Sequence, residues 1–183
     1  MKRRFLTPGK WLCIGIPISF LLGAFFHYVF NLTGNNPYVG LFVPVNESIW
    51  EHLKLAFYPL LIWNIIGYFK FHRDYTFKGR SYLIASMLSP IVAPIVIVTF
   101  YYTLLGGFGI HSIILDIFSL LLADLVGQSL AYYTYKYGNF KVWVLILFVI
   151  LTIAMIFMYA HFTNSPPNYP IFLDGSSGAC KIH

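Results

Sequence analysis

Charge is what this chain has least of. Only 10% of its 183 residues are Asp, Glu, Lys or Arg, and just 6 are acidic. A soluble domain carries roughly a quarter of its residues as charged side chains, so a water-facing surface of ordinary polarity cannot be built from this composition. Cysteine is almost missing: Cys13 lies in an apolar run and Cys180 in the polar tail, a distribution that excludes a disulfide framework. The chain has neither an HExxH nor an HxxxH pair, the spacings that mark many zinc sites. Internal repeats are absent, which argues against a carrier built from inverted halves. Low-complexity segments are absent too.

Long apolar runs are what remains. Hydrophobic residues make up 58% of the chain and the mean hydropathy is +0.72. About 20 apolar residues carry a helix across roughly 30 Å of hydrocarbon. Stretches of that kind occupy 10–32, 47–70, 81–105, 112–135 and 140–162. The expected fold is therefore all-α, a polytopic integral membrane bundle of five transmembrane helices filling 1–162, followed by a tail at 163–183. Lys2, Arg3 and Arg4 before the first run imitate a signal peptide. The run is long and lacks a small-x-small cleavage site, so a retained anchor is expected.

Orientation follows from the basic residues, because Lys and Arg accumulate in cytoplasmic loops. With the amino terminus inside, Lys2, Arg3, Arg4, Lys10, Lys70, Arg73, Lys78, Arg80, Lys136 and Lys141 are all inside, ten of the twelve. Topology thus accounts for the net charge of +6, and no nucleic-acid partner is needed to explain it. Five spans then place the tail outside, where its prolines and aromatics suit a lid over the outer mouth, with Asp174 near the site.

Once the chain is oriented, its acids and histidines concentrate on the outer side. The segment Asn46-Glu47-Ser48-Ile49-Trp50-Glu51-His52-Leu53-Lys54 opens the second span. Asn46 suits the N-cap, and Trp50 the interfacial belt. A capped helix start with a Glu51–Lys54 pair would explain part of this segment, but two acids and a histidine within six residues exceed what capping needs. His27 ends the first span at the same depth, His111 and Asp116 begin the fourth, and His161 ends the fifth. A divalent metal needs three or four His or carboxylate ligands. The expected set is His52, His111, Asp116 and His161 for zinc, with Glu47, Glu51 and Ser48 in the chemistry. Asp124 is separate: it falls near the centre of the fourth span, where a carboxyl is either held protonated or paired. Gln128 lies beside it, with Asn64 as the expected partner of Gln128.

The Val45-to-Lys54 segment, followed by an aromatic and Pro59, resembles a family of small bacterial membrane proteins of unknown function, which implies the bacterial cytoplasmic membrane. Ser48-x-x-x-His52 is also similar to the Ser-xxx-His element of the membrane hydrolase superfamily containing alkaline ceramidases and adiponectin-type receptors. That likeness implies His52 as a zinc ligand, Ser48 as a stabiliser and Asp116 in the aspartate role. It departs in span number, seven there against five here, and in the paired His-xxx-His that a lone His161 replaces. Three functions follow as expectations. The first is a metal-dependent membrane hydrolase of a lipid-like substrate; the second is a proton- or cation-coupled transporter or channel subunit using Asp124. The third is an accessory subunit without chemistry of its own, acting in a homo-oligomer or with a partner membrane subunit.

Overall fold

The structure, a computed structural model, describes residues 6–110 and 112–173, and every regular element among them is helical. Helix α1 spans Pro8–Leu32, α2 Pro37–Gly40, α3 Ile49–His52 and α4 Lys54–Phe71. Helix α5 spans Gly79–Tyr102 and runs into a π-helical turn at Thr103–Gly107. Helices α6, Ile113–Tyr137, and α7, Val142–Asn164, complete the bundle, and a 3-10 turn at Pro170–Phe172 follows. Four helices are long and apolar enough to cross a membrane: Pro8–Leu32, Gly79–Gly107, Ile113–Tyr137 and Val142–Asn164.

The second predicted span differs from the others. It begins at Ile49 rather than at 47, because the Ser48 hydroxyl accepts the Glu51 amide at 3.3 Å and caps the helix. Asn46 is therefore not the cap; its Oδ1 accepts the Ser48 amide at 3.0 Å and makes the turn before it. Leu53 keeps helical dihedrals (φ −61°, ψ −26°), so α3 and α4 run on as one rod. At about 1.5 Å per residue, 49–71 extends for roughly 34 Å. Ten of the 18 residues of α4 are buried, because α4 packs between α1 and α5 and its first turns are tied to the 33–46 loop. Helix α7 is the opposite case: it is almost wholly apolar, yet only Thr152 and Tyr159 are buried.

Backbone groups freed by proline organise the contacts. Proline removes an amide donor and leaves the carbonyl four residues earlier unpaired within its helix. Pro59 frees the Leu55 carbonyl, and α1 approaches it at Gly23 so closely that a Cβ there would lie 2.5 Å from that oxygen. Pro90 frees the Ser86 carbonyl, which accepts the Asn64 side-chain amide at 3.5 Å. Asn64 in turn accepts Gln128 Nε2 at 3.1 Å, the contact expected from the sequence.

The bundle has two unlike ends. At the Pro8 end, Lys70 lies over Trp11 and Lys136 over Tyr132 and Tyr137. Lys78 and Arg80 donate there to the carbonyls of Lys136 and Phe140. The Leu32 end carries the aromatic cluster of Trp50, Tyr159, Phe162 and Phe172. Trp50 is thus an interior residue and not a belt residue, with the 3-10 turn of the tail packed on its ring.

Candidate metal centre

Glu47 precedes α3, so its side chain is free of the helical spacing that would have set it beside Glu51. It turns instead to His52, with Oε2 at 3.3 Å from His52 Nε2. His27, from the last turns of α1, brings its Nε2 to 3.6 Å from the same oxygen and 3.3 Å from His52 Nε2. The rotation of α1 that allows this is set at Gly23, one turn before His27 on the same face, where α1 lies against the Leu55 carbonyl.

These three ligand atoms lie close enough together that they could hold a metal ion. A tetrahedron with bonds of about 2.0–2.1 Å to zinc has edges of roughly 3.3–3.4 Å. The tautomer of His52 points the same way. Its Nδ1 lies 2.8 Å from the Ser48 carbonyl, which can only accept, so Nδ1 carries the proton. His52 then turns Nε2 toward the Glu47 carboxylate oxygen at 3.3 Å, the nitrogen through which a metal would be bound. A backbone carbonyl orienting a histidine in this way is the usual outer partner of a metal ligand. Exposure is 34% for His27, 52% for Glu47 and 31% for His52, which leaves a side of the cluster open. It borders a small pocket of about 40 Å³ lined by His27, Phe30, Asn31, Pro44, Val45, Asn46 and Glu47. Among the described residues, this is the one grouping of three or more His, Cys, Asp or Glu whose ligand atoms converge.

The other predicted residues sit elsewhere. Glu51 and Lys54 form a buried ion pair at 2.7 Å, their side chains 3% and 0% exposed. Both Glu51 oxygens are engaged: Oε2 accepts the Val45 amide at 3.0 Å and Oε1 the Thr163 hydroxyl at 2.9 Å. Lys54 also donates to Thr163 Oγ1 and to the Gly40 carbonyl, at 2.6 and 2.8 Å. This network ties the 33–46 loop and α7 to the start of α4. His161 is exposed and stacks on Phe157, outside the His27–Glu47–His52 cluster. Asp116 is exposed in the first turn of α6 and is not part of the cluster either. His111 and Asp174 lie outside the described residues. Asp124 is fully buried in α6, and neither carboxyl oxygen meets a hydrogen-bond partner in the protein.

The sequence set His27 at the depth of His52 without bringing the two together, and gave Glu47 the role of base. The missing signal was the rotation of α1 about its own axis, which depth does not specify.

The chain is all-helical among its described residues, with four helices of membrane-crossing length and apolarity. It belongs to the family of unknown function DUF6512, which it matches over residues 1–182. No curated protein and no solved structure matches it.

Proposed function

We propose that this is a five-span membrane protein with its amino terminus in the cytoplasm, and that His27, Glu47 and His52 hold a zinc ion at its outer face. The centre hydrolyses a lipid-like substrate. The convergence of the three ligand atoms at 3.3–3.6 Å carries this reading. The orientation draws on the gathering of Lys10, Lys70, Lys78, Arg80, Lys136 and Lys141 at one end of the bundle, the pattern of a cytoplasmic face.

A divalent ion with three protein ligands and an open position lowers the pKa of a bound water and polarises a carbonyl or phosphoryl oxygen. The residues supply the rest. Ser48 orients the His52 ring through its backbone carbonyl. Glu47 would hold the ion through Oε2, the oxygen that faces both histidines, which leaves Oε1 of this half-exposed side chain to take a proton. Glu51 cannot share that role, since Lys54, Thr163 and the Val45 amide occupy its oxygens. The cluster lies at helix ends beside exposed Tyr28 and Leu32, where an amphiphile would enter from the leaflet.

Metal content and turnover test the proposal together. Protein purified in detergent without added metal and titrated with zinc should bind one ion per chain. His27→Ala and His52→Ala should each abolish tight binding, and hydrolysis of lipid esters and amides in mixed micelles should vanish with it. A chain that binds no zinc under these conditions is not a metallohydrolase. Zinc bound without turnover on any lipid class would retain the site and refute the enzyme.

A further inference from the structure

We propose that the interior of the bundle binds a monovalent cation of the sodium class at Asp124, between α1, α5 and α6. The site shares no residue with the His27–Glu47–His52 centre and stands apart from the hydrolase reading.

Five buried side-chain oxygens in this region have no hydrogen-bond partner in the protein: both carboxyl oxygens of Asp124, Ser19 Oγ, Ser89 Oγ and Gln128 Oε1. Four residues from three helices contribute them, and all four are buried, Ser19, Ser89, Asp124 and Gln128 each at 0% exposure. Packing brings them onto adjacent turns of neighbouring helices. Helices α1 and α6 are antiparallel neighbours, with Gly15 seated against Gln128 and Gly23 against Leu120. Ser19 is midway between those glycines and Asp124 midway between Gln128 and Leu120, which sets the two residues at the same level of the α1–α6 contact with no hydrogen bond between them. On the other side, the Ser89 carbonyl and hydroxyl lie 2.9 and 3.4 Å from where a Cβ on Gly127 would be, one turn from Asp124.

The donor chemistry names the ligand. Buried unpartnered polar groups are rare because each costs the full desolvation of the atom, so five on adjacent turns call for a partner that the protein's own side chains do not supply. One cation can meet all five together, because each of these oxygens can accept and an ionised carboxylate can only accept. No lysine serves: Lys54, the buried lysine among the described residues, is committed to Glu51, Thr163 and the Gly40 carbonyl. Carboxylate, hydroxyl and amide oxygens are hard ligands, which suit alkali and alkaline-earth ions over zinc. A single carboxylate balances one charge, which selects a monovalent ion over calcium. The small residues Gly15, Gly23 and Gly127 let α1 and α6 approach their neighbours more closely than larger side chains would.

The test compares sodium with choline at constant ionic strength on the detergent-purified chain at mildly alkaline pH. The unfolding midpoint should rise saturably as NaCl replaces choline chloride, and radioactive sodium should bind with the same half-saturation. Ser19→Ala should raise that half-saturating concentration roughly tenfold, the loss of one ligand oxygen to a charged group. Asp124→Asn should remove the sodium response altogether, and His52→Ala should leave it intact. Should Asp124→Asn fail to fold, the wild-type titration and Ser19→Ala still decide. Equal midpoints in the two salts, with no sodium bound by the wild type, overturn the site; a midpoint that then moves with pH alone would make Asp124 a proton carrier instead.

Discussion

Lys54 is the least expected side chain in the molecule: a lysine at 0% exposure in a chain with six acids. Its position is tolerable because its ammonium meets Glu51, Thr163 and two loop carbonyls, so every donor has a partner. Removing one member of such a pair strands the other charge. Glu51→Gln should therefore destabilise the fold by about 3–5 kcal/mol, whereas Glu51→Met combined with Lys54→Met should recover most of the loss. Detergent-to-SDS titration of refolded protein reads both, and a single substitution as mild as the double would refute the pairing. The same residue-level reading separates Glu51 from Glu47. Glu47→Gln should lower zinc affinity by an order of magnitude or more with little change in stability, as metal titration and unfolding would show, because its side chain is half exposed and makes no tie to the core.

Helix α1 depends on how closely it can approach its neighbours. At Gly23 a methyl group would meet the Leu55 backbone oxygen, which cannot swing aside as a side chain can. Gly23→Ala should cost about 1–3 kcal/mol by overpacking and, because His27 is one turn further along the same face, should also weaken zinc binding. Gly106→Ala, where nothing lies within 4 Å, should be close to neutral by the same unfolding assay. A loss of stability at Gly23 without any loss of zinc affinity would separate the helix contact from the site. The element boundaries teach a related lesson. The five apolar runs were legible to within two or three residues because apolar length marks a helix that must shed its polar backbone. The capping residue of the second was not, since Asn46 and Ser48 are equally good caps by residue type, and only the hydroxyl-to-amide bond to Glu51 decides between them.

The two ends of the whole bundle differ in charge, and the proposed orientation rests on that asymmetry. In a Cys180→Ser background, a membrane-impermeant maleimide applied to intact cells should label Tyr38→Cys but not Tyr75→Cys, with the second labelled only after permeabilisation. Both tyrosines are well exposed, at 79% and 108%, so access depends on the side of the membrane alone. The reverse pattern would invert the molecule and move the metal centre to the cytoplasm.

Amino-acid order was enough to establish the helical class, the apolar runs and the segregation of basic from acidic residues, because hydrophobic length and charge act locally along the chain. It also brought His27, Glu47 and His52 to one depth. Which of the many polar groups at that depth touch was decided by packing: the approach of Gly23 to Leu55 turns His27 inward, the Ser48 cap releases Glu47 from the helix, and the Lys54 network withdraws Glu51. Rotation of one helix against another depends on contacts between residues distant in sequence, so periodicity along a single run carries no record of it.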